Sequence, residues 1–392
     1  MNLEFLKTCL GSENVSARPE DLLSCSRDAS RIEGECLAVV WPRGAADLAE
    51  VVVWAQREGA DLTPRGAGTG LCGGATPQRS IVVDLSRLTE IGDVGSGRKG
   101  VRVQAGVVIG RLNRHLHPYG LYLPVVPGSH PAATLGGMIA TDASGMHAVR
   151  YGSMRSWVEI VTMVDGTGRI HRLSGEALED VVGREGATGL IVETELKLTE
   201  LPGQRSLTVR AFDDATALLA QRSRWLEDPR LMALEYLNAR AAKVVGWPAR
   251  PHLLAEFEGD GGEIEDLGRM ADVWRKRDSL GPQLSRRGMS MSEDPQVDGE
   301  ALAALIDWLE AEGIPAFGHL GTGIIHPRFR PGDERLIKLY EQVQAWGGRI
   351  SGEHGIGLKK RRWTGPEFRE EVRQLKDRYD PSRLINRGKL CS

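Results

Sequence analysis

The chain holds 392 residues, with 50 Lys or Arg against 53 Asp or Glu and a formal charge of −3. Apolar residues at 41% and charged residues at 26% suit a globular chain of two or three domains and exclude an intrinsically disordered one. The balanced charge gives no footprint for nucleic acid, and no run nears the roughly 20 apolar residues that cross a bilayer.

The opening Met1-Asn2-Leu3-Glu4-Phe5-Leu6 has no basic stretch ahead of an apolar one, so no secretory signal is expected there. Cys9, Cys25, Cys36, Cys72 and Cys391 are scattered, odd in number and without a C-x-x-C pair. That pattern predicts a reducing, cytoplasmic setting and argues against a disulfide framework, a cysteine-held zinc or an iron–sulfur cluster.

In chain order, apolar spacing predicts a helix over 46–57, with Asp47 near its start and Gly59 just past its end. Short strands follow at 81–85 and 101–104, then a helix over 109–117. A β-hairpin spans 157–164 and 169–173 around Asp165-Gly166-Thr167-Gly168. Alternation over 190–198 reads as a half-buried strand, and Pro202-Gly203 ends the first half. From 204, strands at 207–212, 231–236 and 252–257 interleave with helices at 215–225, 263–277 and 299–312. This predicts an α+β domain with helices over one face of a sheet. The division expected is a first domain over 1–203, a second over 204–345, and a segment 346–392, with a helix over 366–379, that packs back on the first.

Gly68-Thr69-Gly70-Leu71-Cys72-Gly73 satisfies G-x-G-x-x-G, yet only residues 75–80, Pro77 among them, separate it from the strand at 81–85. A dinucleotide loop must open directly into a helix whose N-terminus faces the pyrophosphate, so the Rossmann reading fails. What remains, Pro64 to Leu71, is either a plain tight turn or a loop whose bare N–H groups form an anion nest.

Further along stand Pro127-Gly128-Ser129, the run Thr134-Leu135-Gly136-Gly137-Met138-Ile139-Ala140-Thr141-Asp142-Ala143-Ser144-Gly145, and Glu185-Gly186-Ala187-Thr188-Gly189-Leu190-Ile191. With the first loop, and in this order, they resemble the FAD-binding domain of the vanillyl-alcohol-oxidase/para-cresol-methylhydroxylase (PCMH) superfamily. The resemblance implies an α+β fold in which a PCMH-type FAD domain carries a smaller α+β cap of antiparallel sheet and helices. It implies FAD held by Arg65, Gly66, Ala67, Gly68, Thr69, Gly70, Pro127, Gly128, Ser129, Thr134, Gly136, Gly137, Thr141, Gly186, Gly189, Ile191 and Asn386. Residues 64–74 hold no histidine, and non-covalent FAD is expected.

Gly318-His319-Leu320-Gly321-Thr322-Gly323-Ile324-Ile325-His326-Pro327 and Gly352-Glu353-His354-Gly355-Ile356-Gly357 narrow the resemblance. They are similar to the paired motifs of the branch containing D-lactate dehydrogenase, D-2-hydroxyglutarate dehydrogenase and the glycolate oxidase FAD subunit. Trp274-Arg275-Lys276-Arg277-Asp278 resembles the branch's Trp-x-x-Arg-Glu helix, and Asn386-Arg387-Gly388-Lys389 its Asn-Pro-Gly-Lys close. Thr322 and Ile324 stand where the branch has Asp and Asn, and no lysine near 291–294 suits a larger diacid substrate.

His319 and His326 are seven apart, and Gly318, Gly321 and Gly323 favour strand and turn over helix. Alone they read as turn or core residues. Joined to Glu353 they form a nitrogen and oxygen ligand set suited to Zn²⁺, Mn²⁺ or Fe²⁺. The resemblance implies metal-assisted oxidation of a small D-2-hydroxy acid, of the D-lactate or glycolate type, to the 2-oxo acid. His354 would take the hydroxyl proton, the Cα hydride would pass to flavin, and Arg277 would clamp the substrate carboxylate. The competing readings are a structural His354 and an Arg277 on a solvated helix face. The expected electron acceptor is a quinone, a cytochrome or an electron-transfer flavoprotein. The chain is expected in the cytoplasm or peripheral at the inner membrane face, as a homodimer or a subunit of a larger complex. The alternatives are an FAD-binding subunit of a glycolate oxidase-like complex and a sugar or alditol oxidase of the same fold.

Overall fold

The computed structural model describes residues 2–94 and 99–390, so Cys391 lies outside it. The chain divides into two compact units, residues 1–143, 153–201 and 354–392 in the first and 144–152 and 202–353 in the second. Among the described residues, no helix is long and apolar enough to cross a membrane.

In the first unit, Ile81, Val82 and Val83 are all buried, as a strand covered on both faces requires. Their strand, Gln78–Asp84, pairs in parallel with Glu35–Val40 on one side and Leu62–Arg65 on the other. Ala45–Glu58 forms a helix that buries Leu48, Val51, Val52, Trp54 and Ala55, and Gly59 ends it in the left-handed conformation at φ 64°. A second, antiparallel sheet runs in the order Gly100–Gln104, Leu190–Lys197, Val158–Val164, Ile170–Ser174. Its last two strands are the hairpin expected around the Asp165 turn. The C-terminal helix is Pro366–Tyr379.

Leu62–Arg65 and Gln78–Asp84 lie parallel without a helix between them; a loop makes the crossover. This is the feature that fails the dinucleotide motif.

The second unit is built on a six-stranded antiparallel sheet in the order Arg205–Ala211, His252–Glu258, Leu231–Leu237, Ala316–His319, Ile324–Phe329, Met291–Ser292. The expectation of helices over one face is corrected here, because helices cover both. Trp274 of helix Leu267–Asp278 reaches Glu256 on one face, while Trp225 of helix Ala215–Leu226 meets Phe257, the next residue along, on the other. The reason was present in Leu231–Leu237, whose seven residues are all buried. A strand with one wet face would alternate, and this one does not. Helices Ala148–Tyr151, Ala239–Val244, Leu280–Arg286 and Arg335–Ala345 were not foreseen.

Candidate flavin cradle and metal centre

The glycine segments of the first unit meet. A Cβ on Gly66 would stand 2.2 Å from Thr134 Oγ1, and one on Gly186 would stand 2.8 Å from Pro64 Cγ. Gly186 also has φ +68°, so both positions accept glycine and little else. Arg65 folds beneath its own loop, donating from Nη1 to the Arg27 carbonyl at 3.0 Å. Asn386 closes the set from the C-terminal segment, donating from Nδ2 to the carbonyls of Glu185 at 2.6 Å and Gly74 at 3.3 Å. Residues 64–70 stay partly open while the strand beneath them is buried. A glycine-rich loop, partly open above a buried strand, can turn its backbone N–H groups to an anion such as a pyrophosphate.

Gly128 has open space around its Cβ position, Thr141 bonds back to the Gly137 carbonyl at 3.1 Å, and Ile191 is a core residue 3% exposed.

Two charged groups in the same region were not singled out from sequence. Glu185 is buried and accepts from the backbone N–H groups of Ile356 at 2.5 Å and Gly357 at 2.9 Å. Burial outweighs those bonds and pushes its carboxyl up to about 7. Lys389 donates to the Gly74 carbonyl at 2.8 Å and to Asn386 Oδ1 at 2.7 Å, and burial pulls its ammonium down to about 7.

In the second unit, strand register alone puts Glu235, His319 and His326 on one face. His319 pairs with Glu235 and with Ile324, and His326 pairs with Phe317, two residues before His319. The two imidazoles lie perpendicular, with centroids 5.2 Å apart. Glu353 joins them from the stretch after Ser351, where Asp294 Oδ2 accepts from the Glu353 N–H at 2.7 Å and from Ser351 Oγ at 2.8 Å. Glu353 Oε1 is 3.2 Å from His326 Nε2 and 3.6 Å from His319 Nε2. Its other oxygen, Oε2, accepts from Ser144 Oγ at 2.7 Å.

Both Nδ1 atoms face acceptors. His319 Nδ1 lies 2.5 Å from Glu235 Oε1, and His326 Nδ1 lies 3.1 Å from the Glu293 carbonyl. A carboxylate and a carbonyl only accept, so each Nδ1 carries hydrogen and each Nε2 is left for Glu353's side of the cluster. Ligand atoms of the three residues lie within 4.8 Å of one another. For metal–ligand bonds of about 2.0–2.1 Å, a tetrahedral edge is roughly 3.3 Å, which the 3.2 and 3.6 Å separations match. The donor set therefore fits a divalent cation. Without one, burial opposes charge on His319, but Glu235 and Glu353 hold a proton there and raise it to about 9. Burial would likewise push Glu353 up, yet the two histidines keep its carboxyl well below the usual range.

Sequence reading aimed the Arg277 fork at a substrate carboxylate. Its Nε instead donates to Glu235 Oε2 at 2.8 Å, Nη2 donates to the same oxygen, and Nη1 donates to Asp278 Oδ1 at 3.3 Å. Nor is it a solvated face, since Arg277 is only 8% exposed. His354 follows Glu353 directly, is half-buried and begins the return of the chain to the first unit. Thr322 turns its hydroxyl onto the His319 carbonyl at 3.2 Å, and Ile324 is buried across from His319. Glu235 and Ser144 were missed. A lone carboxylate inside the apolar run Leu231–Leu237 was the available signal, because buried charges need partners.

The model of an FAD binding domain matches residues 36–174, and that of the C-terminal domain of FAD linked oxidases matches 208–390. A D-lactate dehydrogenase of Archaeoglobus fulgidus is 31% identical, over 91% of this chain and 91% of that protein. A D-2-hydroxyglutarate dehydrogenase of Xanthomonas citri pv. viticola is 27% identical over 98% and 96%, and the glycolate oxidase subunit GlcD of Bacillus subtilis is 25% identical over 97% and 94%. Among solved structures, an alkyldihydroxyacetonephosphate synthase superposes with a TM-score of 0.73 at 17% identity, covering 99% of this chain and 85% of that one, a likeness of fold. The chain belongs to the FAD-linked oxidoreductases that join a PCMH-type FAD-binding domain to an FAD-linked oxidase C-terminal domain.

Proposed function

We propose that the chain oxidises a small D-2-hydroxy acid, of the D-lactate or glycolate kind, to the 2-oxo acid. The observation that carries this reading is the meeting of two Nε2 atoms with one carboxylate oxygen on a single sheet face. The names of the relatives, two hydroxy acid dehydrogenases and a glycolate oxidase subunit, support the substrate class.

His319 Nε2, His326 Nε2 and Glu353 Oε1 would hold a divalent cation, Zn²⁺, Mn²⁺ or Fe²⁺, whose charge makes a nearby alcohol more acidic. Ser144 keeps Glu353 Oε2 engaged and leaves Oε1 to that task. His354, next in the chain, takes the hydroxyl proton as general base. Non-covalent FAD, held by the loop at 64–70 with Thr134, Gly186 and Asn386, supplies the two-electron acceptor. Ile324, apolar and across from His319, leaves this side of the site without the amide of the family pattern. That favours a short acid over one with a second carboxylate.

The test is metal analysis of the purified flavoprotein beside His319→Ala and Glu353→Gln. One divalent ion per chain in the parent, lost in both variants with the yellow colour kept, is the expected result. An equal metal content in all three contradicts the ligand assignment.

A second reading, an FAD-bearing subunit of a multi-subunit oxidase, is favoured by the likeness to the GlcD subunit over 97% of the chain. Copurification of further subunits, and activity only with them, distinguishes it.

A further inference from the structure

Glu235 is wholly buried at 0% exposure, yet it would be no metal ligand in the arrangement above. Its two oxygens serve different partners, Oε1 meeting His319 Nδ1 and Oε2 meeting the Nε and Nη2 of Arg277. Arg277 is itself confined. It sits in the last turn of helix Leu267–Asp278, bonds Asp278, and lies 5.3 Å over the ring of Phe317, the residue that pairs with His326. One turn earlier, Trp274 donates Nε1 to Glu256 Oε2 at 2.8 Å, so two buried carboxylates key this helix to the sheet.

We propose that Glu235, clamped by Arg277, is the positioning residue that fixes the ring of His319 and presents its Nε2 to the metal, so that Arg277 acts on metal binding through Glu235. The inference rests on the metal-site reading above. An imidazole turns about a broad torsion and presents either nitrogen unless a partner selects one. A carboxylate on Nδ1 selects Nε2 for the metal and raises its basicity, and loss of such a partner typically weakens metal binding about 10- to 100-fold. The two histidines are unequal in this respect. His326 relies on the neutral Glu293 carbonyl, whereas His319 faces a carboxylate that a second ion pair holds in place.

The experiment measures Zn²⁺ affinity of the FAD-loaded protein by chelator competition, and the visible spectrum after Co²⁺ is substituted. Glu235→Gln should bind Zn²⁺ about 10- to 100-fold more weakly and shift the Co²⁺ bands. Arg277→Gln should weaken Zn²⁺ in the same direction. Because Glu235→Gln leaves a buried guanidinium uncompensated, the pair Glu235→Gln with Arg277→Met is measured too, and it should bind Zn²⁺ no better than the single variant. Zn²⁺ affinity within twofold of the parent in both Glu235 variants overturns the proposal. So does an Arg277→Gln protein with unchanged Zn²⁺ affinity and a raised KM for the acid, which would return Arg277 to the substrate. A parent protein that takes up no Zn²⁺ or Co²⁺ overturns the metal reading itself, and this inference with it.

Discussion

Ser144 and Glu353, 209 residues apart in sequence, are joined by a 2.7 Å hydrogen bond from the serine hydroxyl to Oε2. Both residues belong to the second unit, although Ser144 follows directly on a segment of the first. The bond orients the carboxylate so that Oε1, not Oε2, faces the two imidazoles. Ser144→Ala removes a hydrogen bond to a charged acceptor, which contributes about 1.5–3 kcal/mol. The variant should bind its metal roughly tenfold more weakly or worse, with FAD content unchanged. Metal affinity equal to the parent's would mean that Asp294 and the two histidines alone orient Glu353.

His354→Ala separates proton removal from metal binding. The variant should keep FAD and its full metal complement while flavin reduction by substrate slows by about 10²-fold or more, the range of general base catalysis. Reduction at the parent rate would leave His354 a structural residue.

The carboxyl of Glu185 gives a pH signature for the first unit. Burial raises it to about 7 in the folded chain, above its ordinary 4.5. Between those values the folded state holds a proton that the unfolded state has lost. The stability this group contributes is thus complete below about pH 4.5 and lost as pH rises to about 7. At about 1.4 kcal/mol per unit the loss amounts to roughly 3 kcal/mol. Lys389 adds nothing in that window, being charged in both states below about 7. Thermal midpoints of the parent measured from pH 5 to 7 should fall by more than those of Glu185→Gln. Parallel curves would show that Glu185 titrates as an ordinary carboxyl.

Gly186→Ala tests the cradle. The backbone there has φ +68°, which costs an L-residue about 1–2 kcal/mol, and the new Cβ would press on Pro64. The variant should melt several degrees lower and retain less FAD on gel filtration. FAD retention equal to the parent's would detach this segment from the cofactor.

Much of this site was legible as residue types in order. The glycine segments at 66–70, 136–137 and 186–189 signalled close backbone approach, and Gly66 against Thr134 and Gly186 against Pro64 are such approaches. His319, His326 and Glu353 stood out by donor chemistry alone, and the fold brings their ligand atoms within 4.8 Å of one another. What periodicity could not supply was partnership. Arg277 falls in a helix whose neighbours Arg275 and Lys276 look solvated, and nothing local reveals that Glu235, 42 residues earlier, waits beneath it. Glu235 went unremarked because Leu231–Leu237 reads as a strand whichever face it buries. Ser144 is invisible for a similar reason, since its meaning lies in a contact made only when distant chain segments fold together.

The central claim, a hydroxy acid oxidised at flavin with the help of a cation held by His319, His326 and Glu353, is tested most directly by anaerobic titration with D-lactate or glycolate. Flavin absorbance at about 450 nm is followed before and after chelation. The account predicts bleaching by the acid, loss of bleaching when the metal is stripped while FAD stays bound, and recovery on adding Zn²⁺ or Mn²⁺. Bleaching that proceeds undiminished in the stripped protein would contradict it.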